Sequence, residues 1–405
     1  MSCAARSPLG SLALVAAGAL GATGCTAING LDGLEKVDCL GGDCSAVTAV
    51  DLVRPMGAAR HMSCGGTLTD EVACWGTNLP DEAHDVALAP TIMPAMAGAD
   101  RISVGLGHGC IVVENQVSCW GQNDYGQLGD GTFLASRLPV PVLGPGGTGT
   151  LDNAKRITRG DHHSCVQTTD NEAVCWGAND HGQLGTGDTY DSPHPVTVPL
   201  PGQINKISGG SRFTCAVLTD NRVFCWGQNH RGQCGQPASA LPVLTPTEVV
   251  GVAAEKVVGG GQFACAHTVA GDAMCWGAGT EGQLGNDAAQ DSDTPVPVAD
   301  LSGIEGVSPG DRHACAQLPE GTLCWGANDH GQLGNDEVGE RSLVPVVPTA
   351  NDFDGTQTTN LYTGGEHVCV TYAPDGRIYC WGLNDSGQLG IGTLGGTAGP
   401  TPVGG

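Results

Sequence analysis

Cysteine offers the most chemistry in this chain of 405 residues: 19 are present, and fourteen of them fall into seven pairs. The pairs are Cys64 and Cys74, Cys110 and Cys119, Cys165 and Cys175, Cys215 and Cys225, Cys265 and Cys275, Cys315 and Cys324, and Cys369 and Cys380. Partners stand nine to eleven residues apart, and Trp-Gly follows each second member. Residues that face each other on neighbouring antiparallel strands lie within disulfide reach. In an oxidising compartment this spacing predicts seven cystines, one per hairpin. Zinc is the rival chemistry. Cys-x8–10-Cys is not a usual zinc spacing, however, and seven two-cysteine sites could not each complete four ligands. Cys39 and Cys44 would close one more small loop. Cys234 is left over, and a buried apolar substitute is favoured there over a redox or metal role.

Other reactive residues give weaker signals. His108, His163, His313 and His367 each stand two residues before a first cysteine, but Met62, Phe213 and Phe263 hold that place elsewhere, which argues for packing rather than a metal ring. Asp287, Asp291 and Asp293 share a loop whose spacing matches no calcium loop, so solvated acids are favoured. Gly-Gln-Leu-Gly recurs from Gly126, Gly182, Gly282, Gly331 and Gly387, with Gly-Gln-Cys-Gly from Gly232. These loops lack the lysine and the strand-to-helix setting of a phosphate-binding loop, and glycine there permits tight turns with positive φ. Neither a Gly-x-Ser-x-Gly elbow nor a His-Glu-x-x-His helix occurs. The expectation is therefore no catalytic residue, no metal and no cofactor.

The elements that position these residues repeat. All seven tryptophans (Trp75, Trp120, Trp176, Trp226, Trp276, Trp325 and Trp381) lie in Cys-Trp-Gly, at intervals of 45 to 56 residues. Glycine stands five residues before six of the first cysteines, and asparagine three after six of the tryptophans. Each unit reads as four short strands, with turn chemistry such as Thr169-Asp170-Asn171 between the second and third. In the third strand both faces are apolar: Val223 and Cys225 point one way, Phe224 and Trp226 the other. A sheet buried on both faces needs a sheet on either side. The expected fold is all-β: a seven-bladed propeller of four-stranded antiparallel blades over residues 50–405.

The pattern Trp-Gly-x-Asn-x-x-Gly-Gln-Leu-Gly, seen at 176–185 and 381–390, resembles the repeats of the regulator of chromosome condensation family. The resemblance covers roughly residues 50–405 and implies a seven-bladed propeller. It also implies two activities to weigh: guanine-nucleotide exchange on a small GTPase, as in the eukaryotic namesake, and enzyme inhibition, as in a similar β-lactamase inhibitory propeller. Family members that stay inside the cell can carry cysteine at these positions as a small buried residue, so the cystines depend on export.

The N-terminus bears on that point. Residues 1–24 hold one cation, Arg6, no acid, and an apolar run of twelve residues, enough for a signal segment and too short to span a membrane. The run ends at Gly-Ala-Thr-Gly before Cys25, which resembles a bacterial lipobox with alanine in place of the usual leucine. The expected order is a lipoprotein signal peptide (1–24), a flexible linker (25–49) and the propeller. Cys25 would be lipidated and the mature chain held on the cell envelope, at the outer membrane or cell surface. An ordinary signal peptide cut nearby is the alternative.

Charge narrows the partners. The 17 Lys and Arg against 42 Asp and Glu give −25, a poor match to nucleic acid. Departures from the repeat are candidates for partner contact: the segments 144–153, 348–360 and 79–96, and in them Met93, Met96, Asp152, Asn153, Asp352, Phe353 and Asp354. The reading that results is a tethered, monomeric, non-enzymatic scaffold that binds a protein or glycan. Inhibitor, exchange factor, and a lyase or glycosidase site on a propeller face remain as alternatives.

Overall fold

The computed structural model describes residues 4–6, 12–14 and 52–404, apart from 59, 68–70, 78, 81–85, 350–352 and 375. Ala4–Arg6 and Leu12–Leu14 pair as two short antiparallel strands. From residue 52 onward the chain forms seven successive antiparallel blades, and the innermost strands of neighbouring blades touch around a closed ring. Blade 3 is representative: strands Ala154–Arg159, His163–Thr168, Ala173–Gly177 and Ser192–Thr197 run from the axis to the rim. Between blades 4 and 5 the chain departs from separate four-stranded sheets. Val243–Gly259 pairs with the third strand of blade 4 through its first half and with the second strand of blade 5 through its second half. Gly251, at φ +91°, supplies the left-handed residue between the two roles.

Burial on both faces is what makes a ring necessary. In the third strand of blade 4, Val223, Phe224, Cys225 and Trp226 are all buried. Every tryptophan in the chain is fully enclosed.

The paired cysteines face each other across the second and third strands of every blade, and all seven pairs are joined as disulfides. From blade 1 to blade 4, Cys64 is bonded to Cys74, Cys110 to Cys119, Cys165 to Cys175 and Cys215 to Cys225. In blades 5 to 7, Cys265 is bonded to Cys275, Cys315 to Cys324 and Cys369 to Cys380. The bonded Cα atoms lie 4.0 to 4.2 Å apart. All fourteen are buried, at 0 to 1% exposure, so they staple hairpins and present no thiol chemistry at the surface.

Blades are latched by the Gly-Gln-Leu-Gly loops. The backbone carbonyl of the loop glutamine accepts a hydrogen bond from the indole N–H of the following blade: Trp176 to Gln127, Trp226 to Gln183, Trp276 to Gln233, Trp325 to Gln283 and Trp381 to Gln332, at 2.9 to 3.1 Å. Trp75 makes the same bond to Gln388 of blade 7 at 2.8 Å, so the ring closes by the contact used at five of the other six joints. Each blade is one contiguous segment, and among the described residues no strand crosses the closure.

Trp325→Phe should therefore cost about 1–3 kcal/mol, because among the described residues the Gln283 carbonyl has no second partner. Trp226→Phe should cost less, since the Thr214 hydroxyl also donates to the Gln183 carbonyl at 2.8 Å. Urea midpoints of the two variants test the difference.

Near the axis the four histidines form part of a second ring. The Nε2 atoms of His108, His163 and His367 lie 2.8 to 2.9 Å from the hydroxyls of Ser164, Thr214 and Ser63, each the residue before the first cysteine of the next blade. Where Met62, Phe213 and Phe263 replace histidine, the corresponding neighbours are Gly109, Ala264 and Ala314. His313 breaks the pairing: it faces the Val368 position, and neither ring nitrogen has a hydrogen-bond partner among the described residues. His313→Phe should stabilise the protein by about 1 kcal/mol by removing a buried unpaired polar group. A lowered melting temperature would contradict this.

Candidate functional site

One end of the ring, the loop end, carries the first-to-second turns and the third-to-fourth loops. The other, the hairpin end, carries the second-to-third hairpins and the links between blades. The segments expected to meet a partner lie largely at the hairpin end, and several of their residues are built into the core. Met93 and Met96 are 1% and 0% exposed and pack between blades 1 and 2. Phe353 is 7% exposed and packs against Tyr372, Tyr379 and Trp381. These three are core residues, because the longer links tuck under the blade edges. Asp354 accepts hydrogen bonds from the backbone and hydroxyl of Thr356, Asp152 is exposed and Asn153 half-buried. Asp352 lies outside the described residues, as do Cys25, Cys39 and Cys44.

Cys234 is buried and free. Its Sγ lies 3.3 Å from the Gln228 carbonyl, and burial pushes its thiol well above the ordinary range, which suits a leucine substitute. Asp291 is engaged by the Gly279 amide and by Arg231, at 3.0 and 2.8 Å.

The apolar surface is concentrated at the loop end. Of the ten large hydrophobic side chains that are exposed among the described residues, seven lie in or beside third-to-fourth loops. Blades 2, 3 and 4 carry the strongest run: Phe133 (52%), Leu134 (75%), Tyr190 (80%) and Leu241 (77%).

The repeat asparagine holds these side chains in place. Asn123 accepts from the Leu128 amide and donates to the Thr132 and Leu134 carbonyls, each at 2.9 to 3.0 Å. Asn179 donates at 2.9 Å to Asp188, whose same oxygen accepts from the Tyr190 amide. The Asn229 carbonyl accepts from Ser239, whose hydroxyl accepts from the Leu241 amide at 3.0 Å. Apolar residues in hydrogen-bonded loops are displayed at little further cost in ordering, as a contact surface requires.

Two charged features flank this crescent. Between blades 6 and 7 a cleft of about 660 Å³ is lined by Asp329, His330, Asp336, Glu340 and Asp385 among others. Arg312 spans the same region, 2.7 Å from both Asp329 and Glu366. On the axis, a cavity of about 160 Å³ is lined by Arg60, Arg159, Asp161 and Asp311. Arg60 of blade 1 is paired with Asp311 of blade 6. Burial, and then the charge of Asp311, holds the Asp161 carboxyl above its usual range. Backbone bonds from Asp161 to Ser211, Ser211 to Gly260, Gly261 to Gly310 and Asp311 to Gly365 run round this end of the bore from blade 3 to blade 7.

Comparison with known proteins agrees with this geometry. The family model for the RCC1-like domain matches residues 62–404. The ultraviolet-B receptor UVR8 of Arabidopsis thaliana is 36% identical over 108 residues, 26% of this chain and 24% of that protein. The guanine nucleotide exchange factor SRM1 of Saccharomyces cerevisiae is 28% identical over 155 residues, 36% of this chain and 32% of that one. The chain thus matches only a quarter to a third of the length of these relatives. Among solved structures, human WBSCR16 superimposes with a TM-score of 0.68 at 21% identity, over 81% of this chain and 88% of that one. Prp20p from Saccharomyces cerevisiae, a structure described together with its binding to Gsp1p and histones, gives 0.70 at 20% identity, over 88% and 87%. At these identities the likeness shows the fold. With seven closed blades and a family match across nearly all of them, the chain belongs to the RCC1-like domain family.

Proposed function

We propose that this propeller is a non-enzymatic scaffold that binds a protein partner through the loop end of blades 2 to 4, as a monomer held outside the cytoplasm by a lipid on Cys25. The observation that carries the binding surface is the crescent of Phe133, Leu134, Tyr190 and Leu241 in clamped loops. Large exposed apolar side chains ringed by polar groups favour a protein over a glycan or nucleic acid. Binding of protein partners, which the description of Prp20p states for that protein, is the property carried over here. Exchange of guanine nucleotide is left with the relative whose name states it. The lipid anchor rests on the sequence before Cys25, and the compartment on the seven cystines.

Two experiments test the parts separately. Envelope extracts passed over the immobilised mature chain should yield a partner that the triple variant Leu134→Asp/Tyr190→Asp/Leu241→Asp does not retain. Equal retention by both would overturn the surface. Radiolabelled palmitate should enter the wild type and not Cys25→Ala, and absence of label from the wild type would overturn the anchor.

A further inference from the structure

The hairpin end of the central channel carries a charge pattern opposite to that of the whole chain. Only 17 of the 405 residues are Lys or Arg. Yet Arg101, Arg156, Lys206 and Lys256 occupy one register position in the innermost strands of four successive blades. Each pairs with the residue two places after the first cysteine of its blade: Val112, Gln167, Val217 and His267. Blade 6 has Gly306 at this register.

The pleat fixes where the four side chains project. Two residues further along, Ser103, Thr158, Ser208 and Val258 line the axial cavity. Residues two apart share a face of a strand, so the cations stand on the channel side, nearer the hairpin end. The strands that bear them are neighbours: the Gly209 amide donates to Thr158 Oγ1, and the Gly259 amide to Ser208 Oγ, both at 3.2 Å. Three carboxylates adjoin this arc: Glu255 is exposed in the bulge before Lys256, and Asp100 and Glu305 stand just before their strands begin.

Among the described residues no ion pair joins any of the four cations to a carboxylate, whereas Arg60, Arg222, Arg231 and Arg312 are each paired. Burial, and then the charges of Arg156, Lys256, Lys155 and Arg101, pushes Lys206 down to about 8. At the loop end of the same bore the charges are instead balanced, with Arg60 and Arg159 beside Asp161 and Asp311. One mouth is therefore bridged by ion pairs, and at the other the four cations are without one among the described residues.

The geometry points to an oxyanion site at the hairpin-end mouth of the channel, where Arg101, Arg156, Lys206 and Lys256 hold a ligand bearing two or more negative charges, of the pyrophosphate or tricarboxylate type. Two guanidinium forks and two ammonium groups on one arc match closely spaced anionic oxygens, and the low-dielectric wall strengthens each contact. The site lies on the opposite end from the apolar crescent and does not depend on it.

Calorimetric titration of the mature chain with sodium pyrophosphate at low ionic strength tests the site, with citrate and sulfate as parallel arms. Saturable one-to-one binding is expected. It should weaken about tenfold or more in Arg156→Ala/Lys206→Ala and stay within twofold in the control Arg222→Ala/Arg341→Ala, which removes the same charge elsewhere. Citrate equal to pyrophosphate would assign the site to closely spaced anions in general; pyrophosphate alone would assign it to phosphates. No binding of either, or the same loss in the control pair, would overturn it. The double variant should melt no lower than wild type, because it relieves repulsion. If it does melt lower, Lys206→Gln and Lys256→Gln singly, each expected to weaken pyrophosphate by threefold or more, decide the matter, and unchanged affinity in both overturns the site.

Discussion

Reducing the seven cystines is expected to unfold the propeller at room temperature without denaturant. Each bridge closes a loop of nine to eleven residues. The loop-entropy model gives at most about 2.5–3 kcal/mol for each such crosslink. Seven of them reach an upper figure of about 18–21 kcal/mol, beyond the roughly 5–15 kcal/mol net stability of ordinary domains. The chain relies on them because its blades are thin and glycine-rich, with 65 glycines among 405 residues, each costly to order. Urea unfolding with and without a phosphine reductant checks this; coincident curves would contradict it. Thiol titration of the denatured, unreduced mature chain gives a second check. One or two free thiols are expected, Cys234 among them, whereas fourteen or more would contradict both the cystines and export.

Acid is expected to have the next largest effect. Burial pushes His108, His163 and His367 down to about 3 and His313 to about 4, against an ordinary value near 6.5. Between about pH 6.5 and 3 the unfolded chain binds protons at these four sites that the folded chain does not, so stability rises with pH across that window. It is fully present above pH 6.5 and is lost as the pH falls. At pH 5 the cost is on the order of 2 kcal/mol per histidine. Asp161, whose carboxyl is raised by burial, opposes this in part. Urea midpoints at pH 7.5 and pH 5 measure the slope, and His313→Phe should reduce it by about a quarter. Equal stability at the two values would contradict the account of the histidine ring.

Much of this architecture is legible in the sequence because each repeated residue has one mechanical task. In six of the seven blades the tryptophan that marks the blade is the donor that latches it to the blade before. The Gly-Gln-Leu-Gly loop is the acceptor, and its first and last glycines do take positive φ, as at Gly126 (+78°) and Gly129 (+70°). The glycine five residues before the first cysteine belongs to a different case. It has no left-handed conformation; a Cβ on Gly160 would stand 2.4 Å from the Gly210 carbonyl of the next blade. Spacing along one chain does not disclose that contact, since it lies between neighbouring blades.

The candidate surface was less legible, for the same reason. Met93, Met96 and Phe353 are apolar residues in irregular segments, and only the ring shows that those segments fold back under the blades. Phe133, Leu134, Tyr190 and Leu241 sit at no repeated position. The available signal was the aromatic content: Phe and Tyr number only ten in the chain, and Tyr125, Phe133 and Tyr190 fall in the third-to-fourth loops of blades 2 and 3.

The most direct test of the scaffold is site-specific photocrosslinking in the native cell. A photoreactive residue would replace Tyr190 at the loop end or, in a second strain, Asp152 at the hairpin end, both exposed. A discrete protein adduct at position 190 and none at 152 is the result predicted. An adduct at 152 alone, or none at 190 with the propeller folded and present in the envelope, would contradict it.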